Sequence, residues 1–80
     1  MMRQQSQHRR QIQKALGDRI KCIRTKRGWP SQKALADACG MNGGHLGEIE
    51  RGQVDVCLTT VAGIAKTLNI TVSKLFDGIV

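Results

Sequence analysis

Between Ser31 and Glu50 (SQKALADACGMNGGHLGEIE) the chain has room for two short helices and one sharp turn, and little else. Ser31 is a good N-cap, because its hydroxyl accepts a bond from a backbone N–H in the first helical turn. Gln32 to Cys39 then reads as a helix with Leu35, Ala36 and Cys39 inward. Gly40 closes it, since the turn demands a left-handed backbone that a side chain resists. Met41 is expected inside the turn, and Asn42 is placed to cap a second helix that continues to about Arg51. Leu46 and Ile49, three apart, anchor that helix inward and leave Gly44, Gly47 and Glu48 outward; Gly52 ends it. Ala36 must be small if the second helix crosses close above it.

Helical periodicity organises the rest. Ile12, Leu16, Ile20 and Ile23 recur at spacings of four, four and three and predict a helix running to about Arg27. Gly28, Trp29 and Pro30 stop it, because the residue before proline is pushed away from helical angles. After a link over 53–57, Leu58, Val61, Ala65 and Leu68 mark the inner face of another helix, with no evident cap. Ser73 is a plausible N-cap for a last short helix carrying Leu75 and Phe76 and followed by Gly78. The expectation is all-α: one compact bundle of five helices over residues 12–80, preceded by a basic arm or frayed helical start over 1–11. Eighty residues suit a single domain; a chain that short buries only about 60% of its unfolded surface, so oligomerisation would help it.

Charge narrows the choice of partners. Residues 1–27 carry nine basic side chains (Arg3, Arg9, Arg10, Lys14, Arg19, Lys21, Arg24, Lys26, Arg27) against Asp18, whereas the remainder is close to neutral. A basic segment ahead of a neutral body suits a polyanion partner, though a solvated helix face would look the same. No apolar run approaches the roughly 20 residues that span a bilayer, so no membrane role and a cytoplasmic location are expected. No phosphate loop, zinc motif or nucleophile beside a base occurs, so we expect no enzymatic activity, no cofactor, no metal and no small-molecule substrate. His8 and His45 read as surface residues. Cys22, Cys39 and Cys57 lack close pairing and fall in apolar helical patterns, which suggests core packing over a metal site or a disulfide.

From about Leu16 to Phe76 the sequence resembles the phage-repressor-like helix-turn-helix domains, often called the XRE family, which include the lambda and 434 repressors, their Cro proteins and restriction-modification controller proteins. The likeness rests on Ile23-Arg24 with Gly28, Leu35-Ala36, Ile49-Glu50-Arg51-Gly52, and Ile64 to Ile70 followed by Leu75-Phe76. It implies a lambda-repressor-like five-helix bundle that binds double-stranded DNA as a homodimer, the helix after Asn42 being the recognition helix. It also implies a salt bridge between Arg24 and Glu50. Pro30 makes the first turn one residue longer than usual in the family.

The resemblance directs attention to Gln32, Asn42, Gly43, Gly44, His45, Glu48, Arg51 and Gln53 as DNA-binding residues. Gln32 and Asn42 sit at helix N-termini, where a phosphate is favoured. Arg51 and Gln53 follow the recognition helix as backbone contacts, while the arm could track a phosphate strand or enter a minor groove. Gly43 and Gly44 stand where the family usually places base-reading side chains. Either the backbone approaches DNA closely there, or Asn42, His45 and Glu48 carry specificity. Glu48 could accept from a cytosine amino group or simply repel phosphate. Val72, Leu75, Phe76, Ile79 and Val80 are candidates for a dimer interface; for Leu75 and Phe76, closure of the monomer core is the competing role. The expected function is a sequence-specific regulator of a short palindromic operator, with a protein-interaction module or an antitoxin of the same fold as alternatives.

Overall fold

The computed structural model describes residues 2–80, with side chains from Gln7 onward. Five helices follow in order: α1 (Met2–Lys26), α2 (Gln32–Cys39), α3 (Gly43–Glu50), α4 (Leu58–Thr67) and α5 (Val72–Leu75). No strand occurs among the described residues. The bundle closes around Leu16, Ile20, Leu35, Ala36, Leu46, Ile49, Val61, Ile64, Ala65, Leu68 and Leu75, all buried. Helix α1 lies across α3 and α5, while α2 packs on α3 and α4. Trp29, half-buried, seals the turn between α1 and α2, and Gly28 takes a left-handed φ of 82° to make that turn.

Several expectations are corrected. Helix α1 begins at Met2 rather than near Ile12, so of the two alternatives for this stretch, an arm or a helical start, residues 2–11 take the helical one. Its Gln- and Arg-rich sequence contains good helix formers and no Gly or Pro to stop propagation from the packed part of α1. Met1 and the side chains of 2–6, Arg3 among them, lie outside the described residues. Cys22 and Cys57 are exposed and do not build the core, whereas the half-buried Cys39 packs against it. Leu58 is 76% exposed despite its periodic position; as the first residue of α4 it lies beyond the elements that cover the inner face. Thr71, not Ser73, caps α5, its side chain accepting from the Lys74 N–H at 3.0 Å. Met41 is only half-buried. Leu75 is fully buried in the monomer and leaves the set of dimer candidates.

Two glycines set how closely α1 approaches the end of α3. A Cβ on Gly17 would fall on the Ile49 and Glu50 carbonyls, and one on Gly52 would lie 2.8 Å from the Lys14 Cα. Backbone therefore meets backbone at both positions. No helix is long and apolar enough to cross a membrane among the residues described.

Candidate nucleic-acid interface

Helices α2 and α3 start side by side, each capped by its own side chain. The Ser31 hydroxyl accepts from the Ala34 N–H at 3.1 Å, and Asn42 Oδ1 accepts from the Gly44 N–H at 2.7 Å and the His45 N–H at 3.4 Å. The left-handed Gly40 at φ 72° joins the two helices. A cleft lined by Gln32, Lys33, Asp37, Met41, Asn42, Gly43 and Gly44 opens between the two helix starts. Neither helix has a carboxylate in its first turn, so both starts keep the partial positive charge of a helix N-terminus, and Asp37, which also lines the cleft, is paired with Lys33 at 3.1 Å.

The inner edge of α3 is held by charge. Arg24 Nε donates to Glu50 Oε2 at 2.8 Å and its Nη2 to Oε1 at 3.3 Å, with 11% and 1% of the two side chains exposed. The resemblance implied this pair, and the structure makes it buried and two-pronged. Gln32 joins it, its Nε2 donating to Glu50 Oε1 at 2.9 Å. The Gln32 nitrogen, expected near a phosphate, is thus engaged within the protein. Its Oε1 points across α3, lying 3.1 Å from where a Cβ of Gly47 would stand, and an Arg51 guanidinium nitrogen lies equally close to that point. Gly47 is therefore buried under Gln32 and Arg51 rather than presented outward, which corrects the sequence expectation.

The outer edge of α3 is sparse. Asn42, Gly44, His45, Glu48, Arg51 and Gln53 are exposed, and Gly43 is half-buried against Lys33 of α2. His45 Nδ1 lies 3.7 Å from Glu48 Oε1, an ion pair only when the imidazole is protonated. Arg51 Nε donates to Gln53 Oε1 at 3.1 Å, which links the first two residues of interest beyond α3. With Gly44 bare, His45 and Glu48 are the side chains that project from the exposed face. Gln32 lies beside Asn42, Gly43 and Gly44 along the cleft and meets Arg51 over Gly47, and Arg51 in turn meets Gln53.

Reasoning from sequence missed Gln13 and Asp55. Gln13 Nε2 donates to Asp55 Oδ1 at 2.6 Å, and Arg9 Nε stands 3.9 Å from Asp55 Oδ2, so α1 is tied to the loop after α3. No spacing signal links residues 42 positions apart.

Comparison with known proteins agrees with this geometry. A helix-turn-helix family model matches residues 20–75. The restriction-modification controller protein C.AhdI from Aeromonas hydrophila has a similar structure, with a TM-score of 0.76, 35% identity, and coverage of 79% of this chain and 94% of that one. The clp gene regulator ClgR from Corynebacterium glutamicum superposes with a TM-score of 0.79 at 26% identity, over 85% of this chain and 71% of that one. Among curated proteins no sequence matches significantly. The matched segment takes in the capped α2, the Gly40 turn, α3 and the core beneath them, so the chain belongs to the XRE-type helix-turn-helix family of DNA-binding transcriptional regulators.

Proposed function

We propose that the protein recognises a short palindromic DNA operator as a homodimer, with α3 in the major groove. The observation that carries this reading is the paired, side-chain-capped starts of α2 and α3 beside an outer face of α3 free of packing. In this reading the Asn42 cap, the α2 N-terminus, Arg51 and Gln53 hold phosphates, and His45 and Glu48 meet base edges. Gly43 and Gly44 admit the DNA close to the helix backbone. Gln32 acts mainly through Glu50, keeping the start of α2 in register with α3.

One such helix covers only a few base pairs, so specificity favours two half-sites about 34 Å apart and a matching two-fold interface. Val80, at 80% exposure, and the half-buried Val72, Phe76 and Ile79 are the apolar residues late in the chain that remain candidates for that contact. Association then makes operator affinity depend on protein concentration. The test is selection from a random duplex pool at one salt concentration, with sedimentation analysis of the free protein. Enrichment of a two-fold-symmetric site and a concentration-dependent dimer are the expected results; uniform weak binding to every duplex overturns the reading. The missing side chains at Gly43 and Gly44 favour one rival, a protein-interaction module with the same fold, for which uniform weak binding is the expected result.

A further inference from the structure

Residues 7–11 of α1 are all exposed, and Leu16 is the first buried apolar side chain of α1 among the described residues. At 1.5 Å per residue, positions 2–12 extend the helix by about 15 Å, in keeping with the 40 Å long axis of the molecule. No acidic residue occurs before Asp18, whereas Arg9, Arg10 and Lys14 cluster within six positions. Residues 3–11 carry no apolar side chain, and a helical stretch without an apolar stripe has nothing to offer a hydrophobic partner or a bilayer interior. Its chemistry suits a polyanion.

Its placement says which polyanion. Going backwards along α1, Gly17 touches the last carbonyls of α3, Lys14 touches Gly52, and Gln13 and Arg9 reach Asp55. The helix therefore runs alongside residues 49–55 and continues outward from the segment that carries Arg51 and Gln53. Arg10 is exposed and makes no ion pair among the described residues. Among the described residues, Asp55 is the acid that Arg9 and Gln13 engage, and it holds both on one flank while Arg10 sits about 100° further round the helix.

We propose that this extension of α1 is a second DNA-contacting element, which binds phosphates flanking the operator, outside the span read by α3, and that Asp55 is the positioning residue that aims it. The inference rests on the DNA-binding reading above. It replaces groove entry by an arm with a basic helix tied to the loop after α3 through Asp55, so the contact is independent of base sequence and adds to the length of duplex covered.

The test is hydroxyl-radical footprinting and a salt series on the selected operator, embedded in longer duplex, with the full chain, the R9A/R10A variant and the D55A variant. Each phosphate contact contributes about 0.9 to the slope of log affinity against log salt. R9A/R10A is expected to lower that slope by about 1 to 2, to erase protection outside the half-sites, and to leave central protection and the selected sequence unchanged. D55A adds positive net charge, so charge alone would tighten binding and keep the flanks; loss of aim predicts weaker flank protection instead. An unchanged slope and footprint in R9A/R10A overturns the inference and leaves the operator reading standing. Flank protection retained in D55A overturns the positioning role of Asp55, and failure of the unaltered protein to protect any duplex overturns both readings.

Discussion

Glu48 and Glu50 stand two residues apart on α3 and lead opposite lives. Glu50, 1% exposed at its side chain, receives Arg24 through two nitrogens and Gln32 through a third. Glu48, 48% exposed, has the more distant His45 as its one ionic neighbour among the described residues. The inner edge of the helix is thus committed to holding its own position, and the outer edge is left to whatever the protein meets. A buried charge is tolerable only when its partners are complete, whereas an exposed one is already satisfied by water.

That contrast is sharpest under truncation. Glu50→Ala leaves the Arg24 guanidinium buried without its counter-ion and is expected to destabilise the fold by about 3 to 5 kcal/mol, measured by urea denaturation. A loss below about 1 kcal/mol would mean that the pair is solvated and the two glutamates differ little. Gly17→Ala tests whether the inner edge also depends on backbone contact. Its methyl group collides with the end of α3, and a loss of about 1 to 3 kcal/mol is expected, with near-neutral thermal stability as the contrary result. Asn42→Ala probes the start of the helix, where two N–H groups lose their acceptor. The expected loss is about 1 kcal/mol, accompanied by weaker DNA binding. Glu48→Ala closes the series: stability should stay within about 0.5 kcal/mol, while the base preference in a selection experiment changes. A selected site identical to that of the unaltered protein would remove Glu48 from base reading.

Features governed by neighbours in sequence were the legible ones. Ser31, Gly40 and Asn42 act through atoms within a few residues, and all three perform the structural roles their residue types suggest. Leu46 and Ile49 follow from helical period. Gly47 did not, because its burial comes from Gln32 and Arg51 lying across it. Leu58 failed for a related reason: periodicity gives the side of a helix but not whether another element reaches far enough to cover its end. Cysteine is small and weakly polar, so Cys22 and Cys57 fitted an apolar pattern without being needed in it. In the candidate site, the exposure of His45, Glu48, Arg51 and Gln53 agrees with the positions to which the family resemblance pointed, while the capture of the Gln32 amide by Glu50 required the fold.

The glycine content of α3 bears on how the protein matures. Eight residues with Gly43, Gly44 and Gly47 among them do not make a helix that persists alone in water, since isolated helices shorter than about 12 to 15 residues are marginal even when rich in alanine. The helix is borrowed from the assembled core through Leu46, Ile49 and Glu50. A chain whose core has not closed therefore keeps its positive charge but lacks this helix. On the operator-binding reading proposed above, any discrimination between DNA sites would be coupled to completion of the fold and lost when the core opens.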